Sequence, residues 1–389
     1  MNFGNVYGII LVFVLLIGII FGKNHLKIFL LISDVVIAIP AYSIRPANFV
    51  FLDTVRFEYI LNQMRSASAF SNIFAGLNWG LNQSQYSNQP LDVLYLWLFS
   101  FFKSNGVLFF TTTFLFLLFL SLLLLNVQKY FEIKEINIVY IYIIELTMFN
   151  LLFEIEGIRN FLSFMILAWA LFNDMVRKKK LTPIVAYIFC ALFHPMSLVF
   201  IGVRFLLLVN KRILEHKLFN VIIILLLVFY NFFTVTILDV LNIFDNVPFI
   251  SMLLSKAQMY LYGQSSFSFY AGIGEILFTS LILLMLIFEY FIFKYSSFQN
   301  KIPLNYLRLY TFFTFFTIGS FLNMQIYLRS IMLLLFISIP IKSLLFENYF
   351  SSNDNESYVY LFYKILTFLL CIIMFMYWYQ FIYTQAIVF

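Results

Sequence analysis

The chain has 389 residues, of which 63% are hydrophobic and only 11% are charged, and its mean hydropathy is +0.95. A soluble domain carries about 25% charged residues, so this composition excludes an ordinary water-soluble protein and requires lipid as the solvent. The basic residues behind the net charge of +6 are scattered over many loops, which does not indicate nucleic-acid binding. Cys190 and Cys371 lie in apolar runs, so we expect no disulfide and no metal site.

Apolar runs of about the length that a membrane-spanning helix needs recur from one end of the chain to the other. We therefore predict an all-α, polytopic integral membrane protein in which residues 1–389 form a single transmembrane domain. The first run lacks a basic flank before it and a small-residue cleavage site after it, which indicates a retained helix rather than a signal peptide. The twelve predicted spans are residues 6–21, 28–44, 107–126, 137–153, 159–173, 181–193, 197–209, 218–237, 272–293, 304–322, 328–345 and 358–383.

The bias of lysine and arginine toward cytoplasmic loops sets the predicted orientation. The densest basic cluster, residues 177–180, is placed in the cytoplasm, and alternation of the spans then puts both termini outside. Further basic residues fall in the cytoplasm on the same alternation, which supports it; they are Lys23, Lys27, Lys129, Lys134, Lys211, Arg212, Lys217, Lys294 and Lys301. Two long outer loops remain, at about 45–106 and 238–271, and the first contains a predicted helix at 91–102 that is too short to span.

Residues 181–209 allow two interpretations, because 29 mostly apolar residues are interrupted only by His194 and Pro195. One tilted helix is possible. Basic residues flank the segment on both sides, however, and two short spans with His194 at the outer tip keep both flanks inside. We prefer the two-span interpretation, which also places Pro195 at the first position of a helix, where its missing N–H is not needed.

Several arginines lie on the predicted outer side. This is contrary to the bias of basic residues toward cytoplasmic loops, so these arginines need an explanation. Arg159 and Arg329 each open a descending span, and His194 precedes another. Helix N-termini favour anions, and the planar fork of arginine suits phosphate oxygens. These positions therefore predict a site for a phosphate or diphosphate at the outer leaflet, although an interfacial arginine can equally extend to lipid headgroups. Secondary phosphate contacts are expected from Arg45, Arg56 and Arg65 in the first outer loop.

Acidic residues near these arginines are candidate general bases. Asp53 and Glu58 lie on the first outer loop, and Glu154 and Glu156 lie just before Arg159. Glu156 and Arg159 are spaced to share a helical face, so an ion pair that fixes the arginine is the alternative to a catalytic role. No nucleotide-binding motif and no cluster of metal ligands is visible, so no cofactor is expected.

Two short motifs carry a resemblance to a known family. The segment Glu-Gly-Ile-Arg-Asn-Phe at 156–161, followed after a span and a basic loop by Ala-Leu-Phe-His at 191–194, resembles the EpsG-like family of Wzy-type polymerases of bacterial surface polysaccharides. That family has Gly-Ile-Arg at one helix start and Leu-Phe-His about 35 residues later. Arg45 and Asp53 resemble its first-loop arginine and acidic segment, without the family's Gly-Thr, and Arg329 resembles its late arginine at a helix start.

The resemblance implies a fold like that of GT-C membrane glycosyltransferases, which use lipid-linked donors. It implies oligosaccharide units on undecaprenyl diphosphate as substrates, membrane lipid as surroundings, and a flippase and a chain-length regulator as partners in a bacterial inner membrane. The growing glycan would pass to a new lipid-linked unit on the outer face, without a metal. On this basis Arg159 and Arg329 are expected on the diphosphate, and His194, Asp53 or Glu156 as the catalytic group.

Other classes of protein fit parts of the same pattern. Twelve spans suit a transporter or a flippase of lipid-linked oligosaccharide, but no internal repeat is evident and the unusual arginines lie on one side only. Another glycosyltransferase or glycan ligase with a lipid-linked donor shares the diphosphate chemistry and differs in its acceptor. A membrane acyltransferase would place its histidine within a span, whereas His194 is predicted at an outer tip.

Overall fold

The computed structural model describes residues 1–46, 52–70, 72–83, 90–208, 217–230, 273–347 and 354–388, with a few isolated residues between 232 and 254. The predicted outer loop at 238–271 and the predicted cytoplasmic residues Lys211 and Arg212 lie almost wholly outside these ranges. The statements below concern the described residues.

The described residues are overwhelmingly α-helical, which confirms the predicted helical class. Every predicted span overlaps a helix. The helices are α1 (Phe3–Ile17), α2 (Lys23–Tyr42), α3 (Leu52–Phe70), α4 (Ala75–Asn82), α5 (Pro90–Ser100), α6 (Gly106–Phe131), α7 (Glu135–Met148), α8 (Leu151–Glu156), α9 (Ile158–Met175), α10 (Leu181–Phe193), α11 (Pro195–Leu206), α12 (Lys217–Val228), α13 (Ile273–Lys294), α14 (Leu304–Gly319), α15 (Met324–Glu347) and α16 (Asp354–Phe381). Two short strands, β1 (Arg45–Pro46) and β2 (Ala386–Ile387), pair antiparallel.

Five segments are long and apolar enough to cross a bilayer: Phe3–Tyr42, Gly106–Phe131, Gly274–Lys294, Gln325–Glu347 and Tyr358–Gln385. They make the chain a membrane-embedded helical protein. Other helices, such as the 13-residue α10 and the 12-residue α11, are shorter than the roughly 20 residues that a straight crossing needs. The twelve-span topology and the GT-C-like arrangement stay predictions.

The first long segment is a helical hairpin rather than one 40-residue rod. A π-helix at Gly18–Gly22 and a non-helical His25 (φ −139°, ψ 43°) interrupt it. Asn2 and Arg45 both pair with Ile387, so its two ends lie at the same end of the molecule. A Cβ at Gly18 would come within 2.5 Å of Val139 on α7, so only glycine allows this close approach. The fold-back matches the prediction of two spans with a lysine-rich turn between them.

The predicted break in the 181–209 segment is confirmed. His194 is extended (φ −147°, ψ 126°) and separates α10 from α11, with Pro195 at the first helical position. Asp174, near the end of α9, accepts hydrogen bonds from Tyr187 of α10 at 2.9 Å and from Arg204 of α11 at 2.9 Å. These contacts align α11 parallel to α9 and α10 antiparallel to it, so α10 and α11 form a short helical hairpin.

Helix α15 lies at the centre of the bundle and packs against α7, α9, α13 and α14. Its Lys342 is fully buried and pairs with Glu145 of α7, while Glu289 of α13 accepts a hydrogen bond from Tyr363 of α16 at 2.8 Å. A charge buried among apolar helices needs such a partner. The pair therefore ties α7 to the central helix.

Helices α3, α4 and α5 form a small packed unit at the predicted outer end. A Cβ at Gly76 would lie 2.5 Å from the Met64 carbonyl oxygen, so α4 crosses α3 at close range. Helix α5 turns Val93 and Leu96 inward against this unit and against α10, and it leaves Leu94 and Leu98 exposed. This 11-residue helix therefore packs by one face and keeps apolar side chains on its exposed face.

Candidate functional site

A group of polar side chains gathers where α5 meets the beginning of α9 at the predicted outer end. We call it the outer polar cluster. Its members come from four helices, and they are Asp92 and Tyr95 (α5), Thr112 and Thr113 (α6), Glu154 (α8) and Arg159 (α9). Because these helices otherwise contact one another through apolar side chains, the cluster is a group of polar side chains within an apolar bundle.

Arg159 is the cationic centre of the cluster. Its Nη1 lies 2.8 Å from Oδ2 of Asp92, whose side chain is fully buried, while the arginine side chain keeps 15% of its surface exposed. Asp92 lies in the first turn of α5, two residues after Pro90. Gly157 precedes α9, and a Cβ there would meet the Phe161 ring at 2.8 Å and the Phe153 carbonyl oxygen at 3.0 Å. The buried carboxylate thus fixes the guanidinium at the N-terminus of α9.

An aromatic ring joins a second arginine to this centre. The guanidinium carbons of Arg56 and Arg159 lie 5.5 Å and 5.2 Å from the centroid of the Phe57 ring. Phe57 is buried on α3, and Arg56 is half-buried. A cation held over a ring face is stabilised by the quadrupole of the ring. Arg56 and Arg159, two of the five arginines predicted to contact the diphosphate, therefore lie next to the same ring.

The deeper half of the cluster is a buried hydrogen-bonded group. The Thr113 hydroxyl donates to Oε2 of Glu154 at 2.6 Å, and the Tyr95 and Thr112 hydroxyls are 2.7 Å apart. Glu154 lies between the predicted spans 137–153 and 159–173 and is fully buried. Burial raises the pKa of Glu154 to about 8, against a smaller lowering by the Thr113 hydrogen bond. The carboxyl is therefore largely protonated at neutral pH.

His194 lies below the cluster as the N-cap of α11. Its Nδ1 accepts a hydrogen bond from the backbone N–H of Met196 at 3.3 Å, and its buried ring meets Phe164 edge-on at 6.1 Å. An Nδ1 that accepts this bond places the proton of a neutral imidazole on Nε2. This geometry favours a role for His194 as a hydrogen-bond donor over the predicted role as a catalytic base.

A row of phenylalanines separates the cluster from the predicted cytoplasmic half. Ring centroids lie 5.1 to 5.6 Å apart from Phe116 through Phe149 to Phe161 and Phe336, and Phe161 continues to Phe164. Helix α15 begins at Met324, so Arg329 lies in its second turn and not at its N-terminus as predicted, about two turns before Phe336. Helix α15 also packs against α9. Arg159 and Arg329 thus lie on the same side of this aromatic row.

Arg65 has a different environment from the other arginines. Its Nε donates to the Ser100 carbonyl at 3.0 Å, Nη1 to Asn62 at 2.7 Å, and Nη2 to Asn105 at 2.7 Å. These bonds join α3 to the turn between α5 and α6. With all three nitrogens donating to protein oxygens, fewer N–H groups remain for a phosphate.

Three predicted site residues have side chains outside the described part of the structure. The backbone of Arg45 is in β1, Asp53 is in the first turn of α3, and Glu156 ends α8. Their roles stay predictions. Among the described residues, no group of three or more histidine, cysteine, aspartate or glutamate side chains is arranged to hold a metal.

The sequence did not identify Asp92, Phe57 or Tyr95 as site residues. Asp92 is 67 positions from Arg159, and only the packing of α5 against α9 brings the two together. One local signal points to Asp92, since an aspartate two residues after Pro90 in an apolar segment fits the first turn of a helix. Phe57 and Tyr95 look like core aromatics in the sequence.

The comparisons with known proteins give no family for this chain: no protein-family model, no curated protein and no solved structure matches it. The resemblance to the EpsG-like family therefore stays a prediction. Function must be argued from the outer polar cluster itself.

Proposed function

We propose that this protein is a glycosyltransferase that polymerises undecaprenyl-diphosphate-linked oligosaccharide units at the outer leaflet of a bacterial inner membrane. The observation that carries the proposal is the Arg159 guanidinium, fixed by a buried aspartate at a helix N-terminus. The resemblance at 156–161 and 191–194 points to the same function.

The chemistry of the reaction suits this arrangement. Transfer of a sugar from a diphosphate breaks a carbon–oxygen bond, and negative charge grows on the leaving diphosphate. Preorganised cations and helix N-termini stabilise such charge more than they stabilise the ground state. Arg159 supplies a partly exposed fork, and Arg56, which contacts the same Phe57 ring, supplies a second positive charge. Together they offer the electrostatic stabilisation that a metal supplies in other enzymes.

The protonated side chains of Tyr95 and Glu154 suggest how the acceptor sugar is positioned. The Tyr95 phenol, whose pKa burial raises above its ordinary value, and the neutral Glu154 carboxyl bind hydroxyl groups rather than accept a proton. The general base is therefore sought among Asp53 and Glu156, while His194 is placed to donate a hydrogen bond. The 15% of the Arg159 side chain that stays exposed is the part that a lipid-linked diphosphate would contact.

A flippase or transporter is the second candidate function, and one observation favours it. Glu145, Lys342 and Glu289 are buried charged groups within the spans, and ionisable groups at such positions commonly serve ion or proton pathways. In a polymerase these groups only hold α7, α13 and α15 together. Lipid-linked units held on the inner leaflet after loss of the protein would support transport.

The test uses an internal control of matched geometry. Arg204 pairs with Asp174 at 2.8 Å with 15% of its side chain exposed, as Arg159 does with Asp92, but at the predicted cytoplasmic end. Arg159→Ala and Arg204→Ala would be expressed in a deletion strain at matched membrane abundance, and lipid-linked and surface glycans resolved by length. The proposal expects single repeat units with Arg159→Ala and long chains with Arg204→Ala. Long chains with both variants would remove Arg159 from the site.

A further inference from the structure

A crevice of about 350 Å³ opens on the side of the first helical hairpin, far from the outer polar cluster. It exists because the π-helix and the kink at His25 bend the segment between α1 and α2. Its walls are almost entirely apolar, and several of them, such as Phe13, Phe21 and Ile32, are more than half exposed. A groove with these walls inside a candidate membrane span faces the hydrocarbon of the bilayer.

The lower end of the crevice is basic. His25 lines it, and Lys23 and Lys27 flank His25 on the same turn, all three exposed. Two glutamates lie near this end: Glu135 is the first residue of α7, and Glu132 precedes that helix. Val139 of α7 packs against the π-helix. The ion pairs among the described residues nevertheless do not include Lys23 or Lys27. The lysine bias places this end at the cytoplasmic leaflet.

We propose that this crevice is a binding site for one anionic phospholipid of the cytoplasmic leaflet. An acyl chain would lie along the apolar walls between α1 and α2, and the headgroup phosphate would meet Lys23, His25 and Lys27. Basic clusters at the cytoplasmic edge of membrane helices attract anionic lipid in this way. A second copy of the chain fits less well, because it would bring two basic ends together. The site does not depend on the proposed polymerase function.

The experiment measures lipid binding to the purified, delipidated full chain by native mass spectrometry. Phosphatidylglycerol and phosphatidylcholine with identical acyl chains are compared. Each lysine near an anionic headgroup contributes about fivefold in affinity. Lys23→Gln combined with Lys27→Gln should therefore lower the preference for phosphatidylglycerol roughly tenfold or more. The matched control is Lys179→Gln with Lys180→Gln, which removes two exposed lysines from another predicted cytoplasmic loop and should change nothing.

A second variant tests the crevice itself. Val36 is a half-buried wall residue, and Val36→Trp would fill the upper part of the groove, lowering the binding of both phospholipids. The proposal would be overturned if the Lys23 and Lys27 variant kept its preference for phosphatidylglycerol over phosphatidylcholine. It would also be overturned if Val36→Trp bound both phospholipids as the wild-type protein does. So would displacement of phosphatidylglycerol by equimolar polyprenyl phosphate. Cross-linking of Ile28→Cys chains into dimers, with lipid binding unaffected, would assign the groove to a second copy.

Discussion

The pairing of Arg159 with Asp92 makes a prediction that separates stability from activity. Removing Arg159 alone leaves a fully buried carboxylate without its ion-pair partner, and breaking a buried pair from one side costs about 3–5 kcal/mol. Arg159→Met should therefore lower the melting temperature of the purified protein by several degrees. Replacing both members by apolar residues, as Arg159→Met with Asp92→Leu, should recover most of that loss, because no buried charge remains.

Activity should not recover in the double variant as stability does. If Arg159 stabilises the leaving diphosphate, its removal costs about 2.7–4 kcal/mol of transition-state stabilisation, or roughly 10²–10³ in rate. The stable double variant should then be as inactive as the single one. Arg159→Lys keeps the charge but loses the fork, so it should retain part of the activity.

The assay combines thermal unfolding in detergent with glycan chain length in the deletion strain at matched membrane abundance. The reasoning would be refuted if the double variant regained both stability and long chains. In that case Arg159 serves only to neutralise Asp92, and the diphosphate site lies elsewhere.

Other predictions concern groups around the cluster and in the bundle. Folding keeps the Glu154 carboxyl protonated, so its raised pKa lowers stability as pH rises from about 4.5 to about 8. By melting temperature, Glu154→Gln should be more stable than wild type at about pH 8.5 and no different at about pH 4. Arg65→Ala loses its hydrogen bonds to protein oxygens and should lower stability by about 2 kcal/mol or more, with chain length unchanged at matched abundance. Lys342→Met should be strongly destabilising alone and much less so with Glu145→Leu, because the single change strands a buried carboxylate; equal loss in both variants would contradict this.

Much of the helical framework could be predicted from the sequence, because its causes are local. Apolar length located the helices, and the lysines at 23 and 27 indicated the turn of the first hairpin. Pro195 predicted the break after α10, since proline suits the first position of a helix. The π-helix at Gly18–Gly22 was not predicted, because it depends on how α7 packs against those glycines.

The candidate site could be predicted only in part. The sequence indicates Arg159 and Arg56 because arginines on the predicted outer side run against the bias of basic residues toward cytoplasmic loops. Their neighbours could not be chosen from the sequence. The Asp92–Arg159 and Thr113–Glu154 contacts join residues 67 and 41 positions apart, and such pairings follow from helix packing rather than from local pattern.

The measurement that tests the central claim most directly locates the lipid-linked repeat units after deletion of this gene. Intact cells would be treated with a membrane-impermeant glycosidase or periodate, and the surviving lipid-linked sugars compared with those of lysed cells. Our account predicts single repeat units that accumulate on the outer leaflet and are destroyed in intact cells, with long chains restored by the wild-type protein. Units protected in intact cells would mean that the protein moves lipid-linked sugars across the membrane, and long chains in the deletion strain would contradict polymerisation altogether.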